Sequence, residues 1–290
     1  MVNTQTELDK ASRPVKVKPL WLRRKNILIG GGLVGIILLM GLFAPFVAPH
    51  DPIQQNLRNA YKTPSREYPF GTDQFGRCLL SRVIYGARIS LLEIAMGVSL
   101  AMAIGVPLGL IAGYFGGRVD RIIMWFLDII FAFPGILLAI LIVSVLGSSL
   151  TNMLIAIAIF SVPVYGRLCR NLTLAIKQME YVEAATALGM RHSSIIFKHI
   201  LRNALAPLLV QATLTAGGVV LSASTLSFLG LGVVPPTPEW GAMISTGRAF
   251  ITIAPHLSLF PGLAILLTVL GFNLLGDGLR DLLDPRLRNN

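Results

Sequence analysis

Charge is scarce in this chain: Asp, Glu, Lys and Arg make up 13% of its 290 residues, against roughly 25% in an ordinary soluble domain. With 54% hydrophobic residues beside it, that scarcity excludes a solvated globular protein and points to a bilayer. Cysteine is scarcer still. Cys78 and Cys169 share no CxxC or Cys/His spacing with His50, His192, His199 or His256, which argues against a disulfide framework and a thiolate metal site. The sequence also lacks internal repeats and a low-complexity tail. It has no G-x-x-x-x-G-K-[ST] loop, so it cannot cradle ATP phosphates in that way. Acidic residues are outnumbered by basic ones, 14 to 25. The Lys and Arg residues flank apolar runs and form no single basic stripe, so the excess reads as membrane topology and not as a nucleic-acid surface.

What is abundant is long apolar sequence. A helix needs about 20 apolar residues to cross a hydrocarbon core of roughly 30 Å. The first such run, Ile27 to Val47, follows Lys10, Arg13, Lys16, Lys18, Arg23, Arg24 and Lys25. It is too long for a cleaved signal peptide and reads as a retained anchor. Ile94 to Ala112 is a second run. Between Ile122 and Tyr165 the only charge is Asp128, and the polar cluster Gly147 to Asn152 divides that stretch into a hairpin of two spans. Ala204 to about Leu229 and Leu257 to about Leu275 are the fifth and sixth. The expectation is an all-α integral membrane protein of about six transmembrane helices. Its parts are a basic segment 1–26, a first span 27–48, an outer loop with an interfacial helix 49–88, a core 89–277 containing a loop 166–203, and a tail 278–290.

Most of the basic residues fall in segments on the N-terminal side, which predicts cytoplasmic N- and C-termini. Arg58, Lys62, Arg66, Arg77, Arg82, Arg88 and Arg248 fall on the other side. Arg77, Arg82 and Arg88 read best as an amphipathic helix resting on the outer interface.

The long connections are where function is sought. Residues 166–203 read as helical, with Ile176, Met179, Val182 and Ala185 returning at spacings of three. A helix of small side chains around Glu183, Ala184 and Ala185 ends at Gly189, suited to a left-handed cap. A second short helix starts near Ser193, anchored to the core by Ile195, Ile196 and Ile200. Two readings stand: a joint held by a partner protein, or an amphipathic helix on lipid headgroups stabilised by Lys177, Arg191, Lys198 and Arg202. Asp128 lies inside the third span, where a carboxylate is costly, and is a candidate for a gating or structural role; Pro134 is expected to bend the same helix. Glu239 and Trp240, in the Pro-rich loop before the sixth span, are candidates for docking an external protein or for headgroup anchoring.

Several of these residues carry a resemblance. Glu183-Ala184-Ala185, Gly189 and His199-Ile200-Leu201 resemble the EAA loop of ABC-importer permeases. Gly71-Thr72-Asp73, Gly76-Arg77, Ser81-Arg82 and Gly86 to Leu91 resemble the segment before the second span in oligopeptide, dipeptide and nickel importer permeases. Gly116 to Asp120, Asp128 with Phe133-Pro134, Pro235 to Gly241, and the ending Gly276-Asp277, Arg280-Asp281, Asp284-Pro285 extend the likeness over about residues 26–288. It is closest to the second of the two permeases paired in such systems. Cys78 stands where the family usually has aspartate. Arg202 stands where it usually has proline, which removes a helix stop and leaves Pro207 as the next boundary.

The resemblance implies a type I ABC-importer permease fold in a bacterial cytoplasmic (inner) membrane, multi-pass and not itself an enzyme. It implies a heterodimer with a second homologous permease, two cytoplasmic ATPase subunits that bind ATP and Mg and seat Glu183, Ala184, Ala185, Gly189, His199 and Ile200, and an extracytoplasmic substrate-binding protein. No cofactor or metal is implied in this chain itself, and beyond these proteins only membrane lipid, with no nucleic acid. Di- or oligopeptides, glutathione or chelated nickel are the implied cargoes. The competing classes are an ion-coupled secondary transporter, for which repeats and midplane carboxylates are expected, and a membrane enzyme, for which only an isolated His256 is at hand.

Overall fold

A computed structural model describes residues 20–283. The basic residues before Leu20 and the tail beyond Leu283, with the expected cytoplasmic ends, lie outside the described residues. The chain folds as α1 (Leu20–Leu42), α2 (Leu79–Phe115), α3 (Gly117–Ala132), α4 (Gly135–Leu146), α5 (Leu150–Lys177), α6 (Glu180–Ala187), α7 (His192–Phe228), α8 (Trp240–Gly247) and α9 (His256–Leu283). Five of these (α1, α2, α5, α7 and α9) are long and apolar enough to span a membrane. α3 and α4 are apolar enough together for a sixth but meet at 87°, a broken span or a re-entrant loop, which makes five crossings or six. Pro134 causes the break: the residue before a proline is forced out of the helical region, and Phe133 sits at φ −85°, ψ 138°.

The expected interfacial helix does not exist as a separate element. α2 begins at Leu79 and runs unbroken through Arg82 and Arg88 into the membrane span. Arg77 and Arg82 do not lie on headgroups; both are buried around Asp73, with Nε–Oδ2 distances of 2.6 and 3.7 Å. Arg82 also donates through Nη1 to the carbonyls of Pro52 at 3.0 Å and Pro236 at 3.2 Å. The loops before α2 and after α7 thus fold over the start of α2 and meet the arginines' donors themselves.

At the other side of the sequence, the helix that starts at His192 continues through a π-helical stretch, Ile195–Leu201, into α7. Arg202 therefore leaves the helix running, as its identity suggests. Pro207 does not become the boundary: it lies inside α7 between the fully buried Ala204 and Leu208. One missing N–H bond is tolerated in a span packed by its neighbours.

Buried clusters organise the bundle, one of them joining Val34 of α1 to Ala216 of α7 and Phe272 of α9. Val106, Leu110 and Tyr114 of α2 meet Tyr165, Cys169 and Ile176 of α5 and Ile195 and Ile200 of α7 at one end. At the other end, Leu79, Val83 and Ala87 of α2 pack with Trp240 and Met243 of α8 and Leu257 of α9. Beside that cluster, Ala139 and Val143 of α4 meet Ile157 of α5 and Val219, Ala223 and Leu226 of α7.

Candidate functional site in the exposed hairpin of residues 178–203

Beyond the end of α5 the chain leaves the bundle, forms α6, reverses at Gly189 and re-enters through α7. The reversal is a Schellman turn. The Met190 N–H reaches the Ala185 carbonyl at 3.1 Å, the Gly189 N–H reaches Thr186 at 3.0 Å, and Gly189 takes φ +74°. Only glycine adopts that conformation without cost. The left-handed cap and the second helix expected from the sequence are both present.

α6 has two unlike faces. Val182 and Ala185, 1% and 6% exposed, pack inward, and Val182 belongs to the same cluster as Tyr165, Ile195 and Ile200. The opposite face exposes Glu183, Ala184, Thr186 and Ala187, and at its tip Leu188 is 87% exposed. Phe197, on the returning helix, is exposed as well. A groove of about 590 Å³ lies beside α6, lined by Leu174, Lys177, Gln178, Glu183, Thr186 and Ala187. Of the six residues singled out in the sequence, Glu183, Ala184 and Gly189 thus form the outer face. Ala185 and Ile200 fasten it from within, and His199 lies half-buried between.

Polar contacts tie the hairpin to the spans. The Tyr114 hydroxyl and His192 Nδ1 are 2.7 Å apart, and Lys177 Nζ donates to the Tyr114 carbonyl at 2.7 Å. Asn203 Nδ2 donates to the Tyr181 hydroxyl at 3.1 Å and to the His199 carbonyl at 2.6 Å. Val182 and the Tyr181–Asn203 bond join α6 to the buried cluster and to α7, while Tyr114 ties the start of α7 and the end of α5 to α2. Small side chains let another backbone approach closely, and the carboxylate of Glu183 offers an acceptor at the rim.

Asp128 has a partner the sequence did not reveal. Arg167 of α5 donates from Nη2 to Asp128 Oδ1 at 2.7 Å, and its guanidinium lies over the Phe131 ring at 4.0 Å. One level nearer the hairpin, Arg170 grips both carboxylate oxygens of Asp120. The antiparallel packing of α3 on α5 makes these pairs, and spacing within either helix carries no signal of them.

Glu239 and Trp240 are not a docking surface. Both are 0% exposed. Trp240 Nε1 donates to the Val83 carbonyl at 3.0 Å, and Glu239 caps α8 by accepting from the N–H groups of Gly241 at 2.8 Å and Ala242 at 2.7 Å. The folded loop encloses them because a large aromatic and a capping carboxylate are what hold it against α2. Burial pushes the Glu239 carboxyl above the usual glutamate range, opposed by those two N–H groups and by the Ser227 and Ser224 hydroxyls. Glu93 is enclosed within α2 with neither carboxylate oxygen hydrogen-bonded.

Comparison with known proteins identifies the family of the chain. Residues 105–289 match the family described as "Binding-protein-dependent transport system inner membrane component", and residues 21–64 match the N-terminal TM domain of oligopeptide transport permease C. A dipeptide transport system permease protein of Alkalihalophilus pseudofirmus is 48% identical over 92% of this chain and 88% of its own length. A glutathione transport system permease protein of Pectobacterium atrosepticum is 44% identical over 94% of this chain and 92% of its own. Among solved structures, a chain of the methionine ABC transporter MetNI in an inward-facing conformation matches with a TM-score of 0.56 at 20% identity, covering 71% of this chain and 98% of that one. That last likeness concerns the fold alone. With the family model spanning most of the helical core, and relatives of nearly equal length aligned almost end to end, this chain belongs to the binding-protein-dependent inner membrane components, as a multi-pass ABC-importer permease of the oligopeptide permease C type.

Proposed function

We propose that this permease passes dipeptides or closely related small peptides such as glutathione into the cell. In this reading it pairs with a second homologous permease and receives cargo from an extracytoplasmic binding protein. Two cytoplasmic ATPases that hold ATP and its Mg²⁺ drive it through the hairpin of residues 178–203. Both termini then lie in the cytoplasm, on the hairpin's side of the membrane. The observation that carries the reading is the two-faced α6. Its outer face is exposed and made of small residues around Glu183, while its inner face is buried in the same cluster as the spans.

The test is reconstitution with the partner subunits and two substitutions, Glu183→Lys and Gly189→Pro. The first reverses a rim charge; the second imposes φ near −65° where the chain takes +74°. Both variants are expected to insert stably, yet to lose peptide uptake and co-purification with the ATPase. A helix resting on anionic headgroups predicts the opposite for Glu183→Lys, since an added cation strengthens that attraction. Normal uptake and normal ATPase co-purification in Glu183→Lys would sink the coupling role.

A further inference from the structure

At Pro134 the backbone breaks at a depth where a membrane tolerates it least. Leu127, before the break, packs on Gly166 of α5, and Gly135, after it, on the Phe160 ring. The break is therefore level with residues 160–166 of α5. Gly105 of α2 packs on Val162 and Tyr165 at that level. It lies seven residues, roughly 10 Å, inside the nearer end of the uncharged run Ile94–Ala112. Headgroups lie beyond the ends of such a run.

Both helix ends at the break leave backbone groups without intrahelical partners. The carbonyls of Phe131, Ala132 and Phe133 and the N–H groups of Gly135, Ile136 and Leu137 form no hydrogen bond with any described residue. Nor does the chain cover them: residues 131–134 and Leu137 are exposed, Phe133 to 53%. Non-helical backbone at this depth occurs only where it is buried in protein or lines water, because hydrocarbon offers nothing to pair with it. Lipid is therefore excluded from this face.

The side chains decide between protein and water. Every residue from Ile129 to Val143 is apolar, and Ile129, Phe131, Phe133 and Leu137 stand exposed around the break. A wall for water or a charged solute offers polar side chains, and this stretch has none. An apolar surface with a few unpaired backbone groups suits a neighbouring transmembrane helix, whose hydroxyl or amide side chains reach those groups while its apolar ones pack on the phenylalanines. Depth then selects the partner. ATPases on the hairpin's side and a binding protein beyond the membrane do not enter hydrocarbon, so of the subunits in the transport reading above only the second permease reaches Pro134.

We infer that the break at residues 131–137 is a face on which the second permease docks, through a transmembrane helix that carries hydroxyl or amide side chains. The identity of the partner rests on the transport reading; the exclusion of lipid rests on this chain alone.

The experiment places the photoreactive residue benzoylphenylalanine at Phe133 in the assembled transporter, with Ile36 of α1, 61% exposed on an unbroken helix, as the control position. Irradiation is expected to join residue 133 to the second permease in about tenfold higher yield than residue 36, whose backbone is satisfied within its helix and tolerates lipid. Adducts with lipid only, with any other subunit, or with a second copy of this chain would overturn the inference. Water is tested with Phe133→Cys, wild type serving as the blank because Cys78 and Cys169 are buried. A charged, membrane-impermeant methanethiosulfonate is expected to leave position 133 unmodified; rapid modification would make the break the wall of a water-filled path and overturn the docking face. If the variants at 133 do not assemble, the same two at Leu137 decide. ATP-driven peptide uptake by wild type is measured separately. Without uptake the transport reading falls while the adduct stands, and with uptake but no adduct this inference falls alone.

Discussion

The packing of α2 on α5 makes a sharp prediction about Gly109. A Cβ added there would stand 2.4 Å from the Gly166 carbonyl oxygen, 2.7 Å from Cys169 Cβ and 2.9 Å from the Arg170 nitrogen. Ordinary contact begins near 3.4 Å, so the two helices must part by about 1 Å, and two of the three obstacles are backbone that no rotamer change relieves. A gap of that size forfeits about a quarter to a half of each dispersion contact along the seam, where Val106, Leu110, Tyr165 and Cys169 are buried. Overpacking typically costs about 1–3 kcal/mol, against at most about 1 kcal/mol returned by alanine's better helix propensity. Gly109→Ala is therefore expected to lose about 1–2 kcal/mol, lowering the thermal midpoint by about 2–8 °C for a chain of this size. A thiol-reactive dye reports the transition, because Cys78 and Cys169 are 2% and 0% exposed until the bundle opens. Gly32→Ala in α1, where an added Cβ meets nothing within 4 Å, is the control and should change little. A Gly109→Ala transporter that melts with wild type would refute close contact of α2 and α5.

Trp240→Phe should cost about 1 kcal/mol by removing the extra hydrogen bond to the Val83 carbonyl, and Trp240→Ala about 3–5 kcal/mol by emptying its site; equal losses, read by the same dye, would show that the hydrogen bond and not the packed ring matters. For Glu239 the sign follows from its raised pKa: the folded state holds the proton more tightly than the unfolded one, so stability is greatest below the ordinary glutamate value of about 4.3 and falls as pH rises through the raised value. Glu239→Gln removes that slope at the expense of one cap acceptor, and stability–pH curves that stay parallel for the two proteins would contradict it.

Sequence by itself determined the helical membrane class, the family, the place of the hairpin, and about six apolar runs, of which five stand as unbroken spans. These rest on local properties: apolar runs of spanning length, the glycine at 189 that takes φ +74°, and the proline at 134 that breaks a span. Local chemistry also placed Val182 inside and Glu183 outside, because spacing along one helix decides which side faces the core. Tertiary structure alone decided what happens between helices. Arg77 and Arg82 looked like interfacial cations until Asp73 and the carbonyls of Pro52 and Pro236 were brought to them from separate loops. Glu239 and Trp240 looked available to a partner until the fold buried them, Trp240 against α2 and Glu239 at the start of α8. Asp128 looked alone until antiparallel packing carried Arg167 to it from a different span. A charged or aromatic side chain takes its role from whatever completes its hydrogen bonds and excludes water, and in a bundle those partners come from distant segments that periodicity along one helix does not encode.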